Sequence, residues 1–274
     1  MKLNLLISLF FISALQNAYA QQANLNRKGK MFANWGWNHA VYTKSTLSMK
    51  GDDYNLTIHK MKAHDRQTQF SYHNYFQIDR VTIPQTNMRL GYFVRNNVAV
   101  LLGVDHMKYV MDQNQTAFVT GNITREGAYK KPYNGYQVLS DDFLTFEHTD
   151  GLNLIHVGVE YYKNLLQSTN KKNRVELIFG GNLGVMMPKT NVKFLNYERT
   201  DRFHVSGIGV GLKAAVQGVL LNHIILRGES ILGYITMPNI VLHKTGINGR
   251  GSQHFGYAQL NGEIGYLFNL KKQQ

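Results

Sequence analysis

The sequence contains no cysteine, so no disulfide framework holds this protein together and no lipid anchor can be built on a cysteine after an export signal. Long apolar runs are also missing beyond the N-terminus. The best candidate, Ala214 to Leu226, is cut off by Lys213 and Arg227 and is too short to cross a bilayer as a helix. Proline is scarce, with 4 residues. Acidic residues are few, 17 against 30 Lys and Arg, which leaves a formal charge of +13. A basic balance suits either nucleic acid or an anionic membrane surface. The export signal described next favours the membrane, and no nucleic-acid partner is expected.

What is present begins with a targeting segment. Lys2 gives a positive start, residues 4 to 15 form an apolar stretch, and Ala18-Tyr19-Ala20 reads as a small-x-small cleavage site. Residues 1–20 are therefore expected to be a cleaved signal peptide. Residues 21–274 read as one domain, because no Pro/Ser/Gly-rich linker or low-complexity tract divides them. With no helix able to span, the exported chain either stays soluble or enters a membrane as a barrel.

The dominant pattern is period two. Along 174–187, Val175, Leu177, Phe179, Leu183 and Val185 fall on one face, with Arg174, Glu176, Gly180, Asn182 and Gly184 on the other. Segments 30–43, 86–95, 97–110, 154–162, 207–217, 224–234 and 256–268 alternate in the same way. A helix would scatter these sets around its cylinder. The count is eight strands, each close to the ~9–11 residues that a tilted crossing needs. Connections alternate between short (95–97, 167–173, 221–223) and long polar ones near 44–84, 111–150, 190–202 and 237–253. Short turns inside and long loops outside are the outer-membrane arrangement. The expected fold is an all-β, eight-stranded antiparallel transmembrane up-and-down β-barrel in the cell outer membrane. The rival is a soluble periplasmic sandwich or lipocalin-like barrel, with apolar residues inside. The glycine-rich polar face and the aromatics near strand ends favour the membrane form.

On this pattern the chain resembles the small outer-membrane β-barrel proteins of Gram-negative bacteria, the OmpA-, OmpX- and OmpW-like barrels. Gly36-Trp37-Asn38-His39-Ala40, Lys62-Ala63-His64-Asp65-Arg66 and Gly103-Val104-Asp105-His106 look like one subfamily of them. The resemblance implies export, membrane insertion and eight strands. It implies no shared reaction.

Strand parity sends Asp105, Glu160, Glu176, Glu229 and Glu263 inward, with Arg89, Arg174, Lys213 and Arg227, and with His156, Asn182, Gln217, Gln259 and Asn261. Eight strands leave an interior that side chains can fill, so these groups are expected to pair as a structural plug. The alternative is a small pore for ions or apolar solutes. A third reading, a lipid-modifying enzyme, rests on His204-Val205-Ser206, which parity puts on the lipid side, as in the lipid A deacylase barrels. No lipid-facing acid is at hand to orient the histidine, so no catalytic residue is assigned. The histidines at 39, 59, 64 and 73 have no convergent metal spacing. Glycines at period two do not form a phosphate loop. No metal or cofactor is expected. The expected partners are outer-membrane lipids. Lipopolysaccharide phosphates are added through Lys60 and Lys62 in Tyr54–Lys62, a piece that reads as a hairpin with strand one. The protein is expected to be a monomer.

Overall fold

The computed structural model describes residues 25–75, 77, 84–195, 197, 202–244 and 247–269. The expected signal peptide lies outside them. Fourteen strands form among the described residues. In chain order they are β1 (Met31–Tyr42), β2 (Ser45–Gly51), β3 (Tyr54–Met61), β4 (Ala63–His64), β5 (Thr86–Arg95), β6 (Val98–Met111) and β7 (Gln115–Ile123). Then come β8 (Lys131–Leu139), β9 (Leu144–Gln167), β10 (Arg174–Pro188), β11 (Asn191–Phe194), β12 (Gly207–Leu220), β13 (Ile224–Val241) and β14 (Gly249–Phe268). One helical turn, α1 (Tyr72–Tyr75), precedes β5.

The eight alternating segments make an antiparallel ring, β1-β5-β6-β9-β10-β12-β13-β14, and β14 closes back onto β1 from Met31↔Phe268 to Tyr42↔Tyr257. The register fixes the tilt. A walk from partner to partner leaves β14 at Phe268 and passes Met31, Tyr92, Val100, Val159, Gly181, Leu212 and Leu232. It returns to β14 at Ala258, ten residues from its start. Eight strands with that stagger tilt by roughly 40°, so each residue climbs about 2.5 Å along the axis.

The surface of the ring is inverted relative to a soluble protein. Leu212 is 74% exposed, Leu232 66%, Leu260 63% and Val157 62%, while the charged set faces inward and is buried. Soluble monomers rarely expose apolar patches above a few hundred Å², yet this belt runs around the whole circumference. On β13 it extends from Ile224 to Tyr234, about 25 Å along the axis, the height of the lipid-facing band of outer-membrane barrels. Tyr92, Tyr161, Tyr266 and Phe268 ring its short-turn edge. The lipocalin-like alternative, with its apolar interior, does not describe this belt.

The segments expected as long loops carry strands. β2 continues the line of β1 along β14 after two residues, and β3, β7 and β8 add successively to its edge. β11 pairs with the start of β9, and β4 with the end of β6. The expected hairpin of Tyr54–Lys62 with strand one is made with β2, the extension of that strand. These strands were hidden because the apolar set changes face. Ile155, Val157 and Val159 of β9 point outward, while Phe146, Leu152 and Leu154 of the same strand point inward. The same reversal puts Phe255 and Tyr257 of β14 and Ile235 and Met237 of β13 inside. Above the belt, Leu47, Met49, Leu56, Ile58, Val119 and Phe194 complete a conventional apolar core. We call this part the head. The point where the apolar face flips is where hydrocarbon gives way to water.

Candidate functional site

The lumen of the belt is organised in three layers. At the short-turn end Phe32, Phe93, Tyr162, Ile178, Val219, Ile225 and Leu267 pack together. Phe93 and Tyr162 lie with centroids 4.9 Å apart, and the Arg27 guanidinium sits 4.9 Å from each ring. Arg27 also bonds Glu176, which takes Arg174 Nε at 3.1 Å and Gln217 Nε2 at 3.0 Å.

The middle layer is ionic. Arg89 Nη2 donates to Asp105 Oδ1 at 2.6 Å and lies 3.5 Å from Glu229 Oε1, with Nε 4.0 Å from Glu263. His156 Nε2 is 3.2 Å from the second oxygen of Asp105. Lys213 Nζ reaches Glu160 at 3.0 Å and Glu229 at 3.4 Å. Arg227 bridges Glu160 at 3.0 Å, Glu229 at 3.8 Å and Glu263 at 3.9 Å. Strand parity positions each of these groups, and Gly103 makes the room: a Cβ there would press on the His156 ring and the Arg89 side chain. Within the lumen of the belt, five buried Arg and Lys (Arg27, Arg89, Arg174, Lys213, Arg227) face five buried acids (Asp105, Glu160, Glu176, Glu229, Glu263). Charges taken out of water demand this balance, since an unpaired one costs several kcal/mol. The third layer is the apolar floor of the head: Met107, Leu154, Met186, Ile231, Ile235 and Phe255.

A buried polar chain runs through the head. Ser45 Oγ lies 2.8 Å from Tyr109 OH and accepts from Gln253 Nε2 at 3.1 Å. Gln253 Oε1 meets His148 Nε2 at 3.3 Å, and His148 Nδ1 meets Thr190 Oγ1 at 2.9 Å. Burial pushes the His148 imidazole down to about 4.

Every charged or polar residue assigned to the lumen from the sequence is buried there. Arg27 and the aromatic layer were not recognised. Arg27 precedes the first strand and has no parity to follow. Phe32 and Phe93 could have been found, because each alternates with an outward residue of its own strand.

The His204–Ser206 pair is not lipid-facing. The regular strand begins only at Gly207, so its parity does not extend back. Ser206 is 2% exposed, its N–H donates to Met186 O at 2.9 Å and its hydroxyl faces the same oxygen at 3.5 Å. His204 Nε2 accepts the Val241 N–H at 3.0 Å. With that lone pair taken, the imidazole has no free base aimed at the hydroxyl. The remaining histidines are dispersed: His39 lies beside Asp65, His59 beside Thr120 and His64 beside Asp112. Among the described residues no group of three or more His, Asp or Glu side chains is placed to hold a metal ion.

No family model matches the chain, and no curated protein matches it. Solved barrels align with it loosely. Ail of Yersinia pestis shares 10% identity over 88% of this chain and 99% of its own, with a TM-score of 0.30. OprG from Pseudomonas aeruginosa shares 12% over 89% and 97%, at 0.37, and Neisserial surface protein A 9% over 86% and 96%, at 0.36. Alignments this loose add nothing to what the strand pairing establishes. The class of fold, a closed eight-stranded up-and-down barrel with an apolar exterior, stands on the strand register and the exposure of its side chains.

Proposed function

We propose that the chain is an outer-membrane barrel of a Gram-negative bacterium with a closed lumen and a surface role exercised by the head. The observation that carries this is the inversion itself: a closed apolar belt about 25 Å tall around a balanced set of buried ions. Only hydrocarbon covers such a belt favourably. The short turns then face the periplasm and the head faces outward. The charged groups that fill the lumen are buried and paired with one another, which supports a closed lumen. The reading predicts a heat-modifiable band in an outer-membrane fraction. Recovery of the folded protein in the soluble periplasm would overturn it. Closure of the lumen is tested in planar bilayers, where a steady ion-selective current would exclude it.

The head is the part free to meet partners. Lys60 and Lys62 are exposed at the end of β3 and just beyond it, and they are placed to contact lipopolysaccharide phosphates as point charges. The protein acts as a monomer in this reading, since the belt needs only lipid around it. Lys60→Glu with Lys62→Glu should weaken lipopolysaccharide binding, and unchanged binding would remove this contact.

A further inference from the structure

The excess charge of the chain is not evenly spread. Among the described residues, every Asp and Glu lies either in the lumen or in the head and its connections. The short-turn end carries Lys28, Lys30, Arg95, Lys163, Lys171 and Lys172 and no acid at all. Lys30 is half-buried, and Lys28, Arg95, Lys163, Lys171 and Lys172 are exposed. The turns that bear them are tied together. The Lys28 N–H donates to Asn96 Oδ1 at 3.0 Å, which holds it beside the turn at 95–97. The Asn222 N–H donates to Lys172 O at 2.8 Å, which joins the turn at 168–173 to that at 221–223. The only buried acid nearby, Glu176, is already engaged by Arg27, Arg174 and Gln217.

The depth of these cations says what they can meet. Lys30 adjoins Met31, the first residue of the belt strand, and Arg95 follows Val94 of the belt. Lys163 lies two residues beyond Tyr161 of the aromatic edge, about 5 Å along the axis. That is the phosphate layer of a bilayer whose hydrocarbon ends at Tyr92, Tyr161 and Tyr266. Lys171 and Lys172 stand about one turn farther out. A purely cationic collar at this level repels itself unless anions are drawn to it, and lipid phosphates supply them at the right height.

We infer that this collar binds the headgroups of anionic phospholipids, phosphatidylglycerol or cardiolipin, in the leaflet that faces the short turns. The inference rests on the membrane reading above and deepens it. It also separates the two ends of the molecule: the head, with cations and acids interspersed, meets the outer surface, and the collar fixes the barrel's depth on the opposite leaflet.

The test is the association of spin-labelled phosphatidylglycerol and phosphatidylcholine with the full chain in phosphatidylcholine vesicles. The wild-type protein should hold phosphatidylglycerol severalfold over phosphatidylcholine at low salt, and the preference should fall towards one in 0.5 M salt, where screening is short-ranged. Replacing the six collar cations by Gln should abolish it. Lys163→Gln and Arg95→Gln should each reduce it, which keeps the test open if the sixfold variant folds poorly. Lys44→Gln, Lys60→Gln and Lys62→Gln in the head should leave it intact. Equal association of both lipids with the wild type, a preference that survives in the collar variants, or its loss in the head variant would overturn the inference. Failure to insert at all, seen as no heat-modifiable band, would instead sink the membrane reading.

Discussion

Arg89 and Asp105 stand on adjacent strands two positions apart in register, and their side chains close to 2.6 Å with neither reaching solvent. The pair is not isolated. Arg89 also serves Glu229 and Glu263, and Asp105 also faces His156. One cation therefore answers three carboxylates from three different strands, which makes it the tie between opposite walls of the ring.

Arg89→Met should be costly. It leaves Asp105 with only His156 and shifts Glu229 and Glu263 onto Lys213 and Arg227, which already hold Glu160. Removing one partner of a buried pair costs about 3–5 kcal/mol. Urea unfolding from vesicles, followed through the emission of Trp35 and Trp37, the chain's two tryptophans, should show a loss of that order. Arg89→Met with Asp105→Asn removes one charge of each sign and should recover part of it.

Acid should loosen the head before the belt. The buried His148 is held neutral, with its folded value at about 4. As pH falls through about 6.5 the unfolded chain takes up a proton that the folded head refuses. Stability then declines from about pH 6.5 to about 4 and levels off below, by about 3 kcal/mol at most. Burial also lowers His204 and His243, which adds to the same slope. His148→Gln should flatten the urea midpoint between pH 7.5 and 4.5 without removing the trend. An unchanged slope would show that His148 is not the group that titrates.

The belt was legible in the sequence because hydrocarbon imposes one rule on eight segments. Parity from Val175 to Val185 alone sends Glu176 and Asn182 inward, and the same step places Arg227 and Glu263. The head was not legible under that rule. Leu47 and Met49 alternate as cleanly, yet their outward partners Ser48 and Lys50 are polar, so that segment reads as a loop when an apolar exterior is expected, and only Tyr54–Lys62 stands out as strand-like. Ser206 was misplaced for a related reason: parity holds only while the ladder does, and the ladder of β12 stops at Gly207. Arg27 reaches Glu176 across 149 residues, a contact that no local pattern encodes.

Gly121 should prove irreplaceable in the head. Its φ is +117°, and a Cβ there would overlap the Asn55 carbonyl oxygen of β3. Gly121→Ala is expected to cost about 2 kcal/mol or more through backbone strain and lost pairing. The damage should be local. Amide exchange should accelerate in β7 and β8, which hang from β3, while the belt strands keep their protection. Uniform acceleration would mean that head and belt unfold as one unit.

The last prediction concerns chemistry at the pair that most resembles a catalytic one. A serine becomes a nucleophile when a histidine can take its proton and a third group orients that histidine. Here His204 Nε2 accepts the Val241 N–H, and Ser206 is buried against Met186 O. Ser206→Ala should therefore leave the acyl pattern of lipid A unchanged by mass spectrometry, with a stability change of at most about 1 kcal/mol. His204→Ala should cost more, about 1–3 kcal/mol, because the Val241 N–H loses its acceptor. Its effect should appear in the unfolding of the head and not in the lipid. A shifted acyl pattern in either variant would show that this strand end opens to the membrane and that the pair performs chemistry there.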